Sequence, residues 1–381
     1  MQFMPAGQVD GVERKNFRFP AIRPVVPKVT DWARYLEPSY ASHWYTNFGP
    51  VSRQLEAELA RQFCHPNEVM ICANSATSGI AAALISLGVR GPVLVPAFTF
   101  PATVAAVVMA GAEPMVIDVE AATWSLSASL LERFLDEEQC AAVVLVSPFG
   151  LVRDFSRHIE ICLENKIPIV IDNAAGLSER AGQLANEHCF EVYSLHATKP
   201  FPIGEGGVIR SRATEAPTLR RALNFGLEHG QARPGCWGIN GKLPEISAAV
   251  GLAVLEEFPL IIRRRRTVAQ RYIDLLNEYD ALAFPRDVTL APWQVFPLML
   301  PSGRAAEEFV RLTALQGLQV RWSYKPTLDN WPRVRKGGPC PNSHFLSERI
   351  VTLPIYSDMT DDELTEILGI TKRSLTQALS L

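Results

Sequence analysis

The sequence predicts an α/β fold: a mostly parallel sheet held between helices, followed by a smaller α+β domain. Three observations predict it. Between residues 69 and 195, short apolar runs rich in valine and isoleucine take turns with helix-like segments. Those runs are apolar throughout, with no polar residue at every second place, which is how strands buried on both faces read. Past about residue 256 the texture loosens, and long amphipathic helices are interleaved with isolated β-like runs. The chain has 381 residues, enough for about two domains at roughly 150 residues each. The expected division is 1–256, a large domain with an N-terminal arm, and 257–381, a small C-terminal domain.

Residues 1–30 carry Pro5, Pro20, Pro24 and Pro27 and read as an extended arm that must lie on something, another subunit included. Asn47 to Pro50 is a turn with proline at a helix entrance. Val51, Leu55, Leu59 and Phe63 recur every four residues, so 51–63 is an amphipathic helix. Strands are expected at 69–73, 93–95, 115–119, 141–146, 167–171 and 192–195, with a further run at 208–210. Helices are expected between them at 77–87, 103–110, 127–135 and 155–165. Glu245 to Leu255 is rich in small apolar residues and reads as a closely packed helix. Beyond it, helices are expected at 268–279, 305–316 and 361–368, and strands at 295–300, 319–322 and 350–354.

Composition excludes several classes of function. The formal net charge is -3, with no domain-wide basic excess, which argues against a nucleic-acid partner. The one basic run, Arg263 to Arg266, reads as the solvated side of a helix. Seven cysteines, at 64, 72, 140, 162, 189, 236 and 340, include no C-x-x-C pair. They read as reduced cytosolic thiols and not as a disulfide frame or zinc site, and Cys64-His65 reads as structural. No apolar run approaches the roughly 18 residues of a membrane span. No signal peptide opens the chain, so a soluble, cytoplasmic protein is expected.

One stretch organises the rest: Ser194 to Gly207, where an apolar run ends, Lys199 follows, and glycines turn the chain back. A lysine just past a buried strand sits where α/β proteins place their chemistry. A lysine amine kept partly unprotonated forms Schiff bases with carbonyl cofactors. That points to pyridoxal phosphate (PLP), which makes four demands on a protein. Its aldehyde needs an amine, and Lys199 supplies one. Its pyridine nitrogen needs an acid, and Asp172 ends the run Ile169-Val170-Ile171. Its phosphate needs amides at a helix N-terminus, here Ala76 and Thr77, with the Ser194 hydroxyl. Its ring needs an apolar plate, here Phe100. Each residue alone is weak evidence, since a strand-ending aspartate is as often a cap. Their order at successive strand ends makes the set specific.

With these residues in hand, the sequence resembles the DegT/StrS family of sugar aminotransferases, fold-type-I PLP enzymes. The matching stretches are Gly49-Pro50, Asn74 to Thr77, Val95 to Thr103, Gly111 to Pro114, Ile171 to Ala175, Ser194 to Gly207, Gly238 to Glu245 and Leu353 to Tyr356. They cover about residues 45–370. The resemblance implies that Lys199 carries the cofactor, Asp172 pairs with its pyridine nitrogen, and Phe100 stacks on its ring. It assigns the phosphate to Ser194, Ala76 and Thr77, and to Asn240 reaching across from the neighbouring subunit of a homodimer with shared active sites. It implies L-glutamate as amino donor and a nucleotide-diphosphate keto-sugar, keto at C3 or C4, as acceptor. The product would be an amino sugar for a polysaccharide such as lipopolysaccharide, or for a glycoside. One departure stands out. The family usually places glutamine or histidine three positions after the aspartate, and this chain has Ala175, leaving Asn173 as a substitute contact.

Other readings compete. A dehydratase of the same fold that uses pyridoxamine phosphate would replace the lysine with histidine, and Lys199 is retained. A non-catalytic PLP-fold protein is favoured by Ala175 and opposed by Lys199, Asp172 and Ser194. The acceptor can also be another carbonyl compound, such as an aminocyclitol precursor. His43, Trp44, Tyr45, Trp237, Lys242, Tyr324, Lys325 and Trp331 are candidates for sugar and diphosphate contacts, or for packing.

Overall fold

The computed structural model describes residues 17–178, 184, 188–228, 231–232 and 237–380. Most of the expected N-terminal arm and Cys236 lie outside them. The apolar runs become β1 (Glu68–Ala73), β2 (Pro92–Pro96), β3 (Glu113–Ile117), β4 (Ala142–Val146), β5 (Ile169–Asp172), β6 (Cys189–Ser194) and β7 (Gly207–Arg212). Four later strands belong to the two larger sheets: β8 (Val295–Met299), β9 (Arg321–Trp322), β10 (Arg335–Lys336) and β11 (Ile350–Pro354). The large sheet has the order β1-β7-β6-β5-β4-β2-β3-β10. Its neighbours pair in parallel except around β7, which runs antiparallel to both β1 and β6. A second sheet, β8-β11-β9, is antiparallel.

Between the strands run α1 (Pro50–Phe63), α2 (Ala76–Ser86), α3 (Pro101–Met109), α4 (Ala128–Glu137), α5 (Ser156–Glu164) and α6 (Ala216–Leu223). Then come α7 (Glu245–Leu276), α8 (Gly303–Leu315), α9 (Pro341–Ser347) and α10 (Asp361–Ala378). Strand alternation explains why the sheet is apolar on both sides. Ile71, Val93, Val95, Val170 and Val192 pack with α2, α3 and α6 on one face. Met70 and Cys72 point the other way, toward α1 and the first half of α7. Leu94, Ile169 and Ile171 likewise pack with α4 and α5.

Three expectations need correction. The two helices expected at 245–255 and 268–279 are one, since α7 runs unbroken for 32 residues. The position between 256 and 257 therefore lies inside a helix and not in a linker. Proline usually breaks a helix by clashing with the preceding turn; Pro259 sits at an exposed position of α7, away from its packed face. The arginine run is not uniformly solvated either. Arg265 is 5% exposed, on the stripe that also holds Ile262, Val268, Ala269 and Tyr272. Its guanidinium donates to the Trp293 carbonyl at 2.9 Å, the Ile355 carbonyl at 3.2 Å and Ser357 Oγ at 3.0 Å. Arginine presents five donors in a fixed fork, so converging carbonyls can replace its water. Finally, β10 adds to the large sheet at β3 although it belongs to the C-terminal third of the chain.

Two buried charge clusters hold the frame. Arg210 on β7 reaches Glu68 on β1 at 2.6 Å and Glu191 on β6 at 3.0 Å, tying three adjacent strands. Glu245, the first residue of α7, is fully buried. Its carboxylate accepts from the Val51 amide at 2.6 Å and the Ser52 amide at 3.3 Å, satisfying the open N-terminus of α1. Six cysteines are free thiols, five of them buried. Among the described residues no helix is long and apolar enough to cross a membrane, and no cluster of metal-ligand side chains is present.

Candidate active site

The carboxyl ends of β1, β2, β4, β5 and β6 share one edge of the large sheet, as their pairings require. Because β7 is reversed, its first residue Gly207 meets that same edge, opposite Ser194 and Ala73. The loops leaving this edge enclose a cleft of about 540 Å³, open mouth included. Ala76, Thr77, Phe100, Asp172 and Lys199 all line it, though they come from four separate segments of the chain.

Asp172 ends β5 and is 6% exposed. Thr103 Oγ1 donates to its Oδ2 at 2.6 Å, and the Ala174 amide to its Oδ1 at 3.2 Å. Burial raises the Asp172 carboxyl above the ordinary aspartate range, while Thr103 and the nearby Lys199 pull it back down. Lys199 lies in the β6–β7 loop, half-buried, with Nζ donating to Gln294 Oε1 at 2.9 Å. Burial brings its ammonium down to about 8, against the opposing pull of Asp172.

Ala76 and Thr77 open α2. Ser75 caps that helix, its Oγ accepting from the Ser78 amide at 3.1 Å. The first-turn amides of a helix have no carbonyl within the helix to pair with and carry partial positive charge. Gly207 packs against them so closely that a Cβ would stand 2.4 Å from the Ser75 carbonyl carbon and 2.5 Å from the Ala76 nitrogen. Only glycine fits there. Ser194, 9% exposed at the end of β6, accepts from the His196 amide at 3.2 Å. Phe100 is 62% exposed at the cleft mouth, immediately before α3.

Two expected contacts are placed elsewhere. Asn173 follows Asp172 along the chain and so faces the other way; its Nδ2 donates to Glu191 Oε1 at 2.8 Å. It does not stand in for the missing polar contact at Ala175, which is 5% exposed and lines the cleft. Asn240 lies by β1: its carbonyl accepts from Asn74 Nδ2 at 3.0 Å and its Oδ1 from Lys242 Nζ at 2.7 Å. Neither Asn240 nor Ser194 is among the residues lining this chain's own cleft. Of the sugar-contact candidates, Tyr324 lines the cleft, stacked on Phe149 at 5.2 Å and edge-on to Phe98 at 4.9 Å. Trp44 lies against Arg53, Tyr45 against Tyr40, Lys242 over Phe225 and Lys325 over Trp322. Trp237 is 89% exposed and Trp331 half-exposed.

Three polar lining residues had no role in the sequence reading: Thr99, Ser147 and Gln294. Thr103 was part of a matched stretch but carried no assigned role. An amine with lowered proton affinity, a buried carboxylate and a helix N-terminus around one cleft fit PLP. The cradle closed by Gly207 suits its phosphate, and the amine and acid suit its aldehyde and ring nitrogen.

Comparison with known proteins agrees. A profile of the DegT/DnrJ/EryC1/StrS aminotransferase family matches residues 29–371. Protein Rv3402c of Mycobacterium tuberculosis is 29% identical over 372 residues, covering 92% of this chain and 89% of its own. The dTDP-4-amino-4,6-dideoxy-D-glucose transaminase of Shigella dysenteriae is 24% identical, covering 91% of this chain and 96% of its own. Among solved structures, a Bacillus cereus protein provisionally described as a PLP-dependent aminotransferase superposes with a TM-score of 0.84 at 26% identity. The match covers 93% of this chain and 99% of that one.

Proposed function

The chain belongs to the DegT/DnrJ/EryC1/StrS aminotransferase family, and from that premise we propose that it moves an amino group from L-glutamate to a nucleotide-diphosphate keto-sugar. That it is a PLP-dependent aminotransferase follows from the family; the donor and acceptor are our reading. The single observation carrying the site is that Lys199 and Asp172 face one cleft whose rim is the N-terminus of α2. The dTDP-sugar transaminase activity named for the Shigella dysenteriae relative supports a nucleotide-linked acceptor.

Each residue has a physical task. Amides at Ala76 and Thr77, with the Ser194 hydroxyl, hold a phosphate. The Asp172 carboxylate would hold a proton on the ring nitrogen, and the Thr103 hydrogen bond favours its charged form against the effect of burial. Phe100 covers a ring face at the cleft mouth. Lys199, with an amine near 8, has a usable unprotonated fraction at neutral pH. With the cofactor bound, that amine would hold its aldehyde and, once displaced by the donor's amine, would take a proton from the donor's α-carbon. Bound PLP supplies the aldehyde that links to amines and the electron-withdrawing ring that stabilises a carbanion. Asn240 completes the site of a partner subunit in a homodimer. We read the protein as cytoplasmic, with residues 1–256 and 257–381 as its large and small domains.

The test uses full-length protein loaded with PLP. Glutamate should bleach the visible cofactor band and release 2-oxoglutarate; a dTDP-4-keto-6-deoxyhexose should restore the band and yield an amino sugar. Lys199→Ala should do neither. A band indifferent to every amino donor would favour a non-catalytic protein, and recovery with a keto-cyclitol alone would move the acceptor to that class.

A further inference from the structure

Gln294 belongs to no motif, yet it makes the hydrogen bond of the Lys199 amine. Its Oε1 accepts from Lys199 Nζ at 2.9 Å, and its Nε2 reaches Thr198 Oγ1 at 3.5 Å. Thr198 is in turn tied to His196 Nδ1 at 2.8 Å. We propose that Gln294 is a positioning residue that holds the free amine of Lys199 aimed into the cleft and tunes its proton affinity. The proposal rests on the reading of Lys199 as the reacting amine.

The backbone carrying Gln294 is unusually well fixed. Arg265 donates to the Trp293 carbonyl at 2.9 Å and to the Gln294 carbonyl at 3.4 Å. Trp293 is fully buried, stacked on Phe296, and its Nε1 donates to the Val288 carbonyl at 2.7 Å. A side chain meant only to fill space at the mouth of a cleft needs no such anchoring. A lysine on a four-carbon stem does need a partner, because it otherwise wanders among rotamers and loses reactive geometry. The amide is also chemically suited. It is a neutral acceptor, so it orients the ammonium and favours it modestly without pinning it in the charged form as a carboxylate does. Ala175 leaves its own stretch of the cleft wall apolar, which makes the polar group arriving from the other side of the chain the more consequential.

The experiment measures Lys199 directly. Full-length protein freed of cofactor is labelled with trinitrobenzenesulfonate across a pH series, and modification of the Lys199 peptide is followed by mass spectrometry. The wild-type midpoint should fall near 8. Gln294→Leu should lower it by about one pH unit, since an acceptor favouring the ammonium is gone, and Gln294→Glu should raise it by about as much. In the loaded enzyme, Gln294→Leu should cut kcat about tenfold while KM for the keto-sugar stays within about twofold. Coincident midpoints in wild type and Gln294→Leu overturn the proposal, as does a loss confined to KM. Gln294→Met is close in size, lacks the acceptor, and takes the place of the leucine variant where that variant fails to fold. Failure of the wild type to transfer amino groups sinks the aminotransferase reading in a separate assay and leaves the labelling midpoints to judge Gln294.

Discussion

Lys199 and Asp172 pull on each other's protons while burial opposes both charges, and the balance sets when the enzyme works. An amine acts as base only when neutral, and the protonated form dominates below its pKa. With that value near 8, kcat, which reports groups in the substrate-bound enzyme, should rise with pH through the neutral range and level off above about 8. A profile flat from pH 6 to 9 would mean that another group limits the reaction. Thr103 supplies the second test. Its hydroxyl holds Asp172 at 2.6 Å and lowers a carboxyl that burial raises. Thr103→Val should therefore raise the Asp172 pKa, loosen PLP and cost about tenfold in kcat/KM, in line with about 1.5 kcal/mol for a hydrogen bond to a charged group. Thr103→Ser should restore most of it, whereas an effect of packing alone would not be rescued by serine.

Which residues were readable from sequence follows from the range of the interactions that place them. Ala76, Thr77, Phe100 and Lys199 each follow a strand within a few residues and Asp172 ends one, so strand ends alone predict their shared edge. The side chain of Asn173 could have been excluded on the same grounds, because neighbours along an extended chain point opposite ways. Arg265 also left a trace: Ile262, Val268 and Tyr272 put position 265 on the packed stripe, and the charge of the run masked it. Gln294 left none, since its partner Lys199 is 95 positions away and nothing local marks it.

At the scale of elements, the parallel strands were readable because burial on both faces writes itself as unbroken apolar runs. The reversal of β7 and the joining of β10 to β3 were not, since pairing partners far apart leave no local periodicity. The fusion of two expected helices into α7 was obscured by Pro259, a residue that breaks most helices. The junction of α1 with α7 can be tested on one atom. Gly49 has an ordinary negative φ, so alanine there adds no backbone strain. The added Cβ would instead stand 2.7 Å from the Glu245 side chain and push its carboxylate off the Val51 and Ser52 amides. Gly49→Ala should cost about 1–3 kcal/mol of stability, as for a buried polar group losing its partners. The measurement is the shift of the urea unfolding midpoint, and an unchanged midpoint would show that the helix junction tolerates the displacement.

At the scale of the molecule, the proposal that Asn240 serves a neighbour's cleft predicts complementation. Lys199→Ala and Asn240→Ala chains, each weak alone, should recover activity when unfolded and refolded together. A mixed dimer then holds one site with both residues intact, giving at most about a quarter of wild-type sites when subunits pair at random in a two-fold dimer. Mixtures no more active than the separate variants would place Asn240 in its own chain's service, or outside the site altogether.

The long helix α7 carries at one end the carboxylate that closes α1 and, twenty positions on, the guanidinium that steadies the strand beside the reacting amine. A rod of this kind keeps phase: each added residue turns everything beyond it by about 100°. A single alanine inserted near Leu260 would thus seat Arg264 where Arg265 stands but turn Val268 and Tyr272 off the packed stripe and bring Thr267 and Arg271 in, while leaving Glu245 in place. The chain would keep its cradle for an anion yet lose the packing of Tyr272 on Phe296, so the length of helix between Glu245 and Tyr272 is under as strict a constraint as any side chain in the cleft.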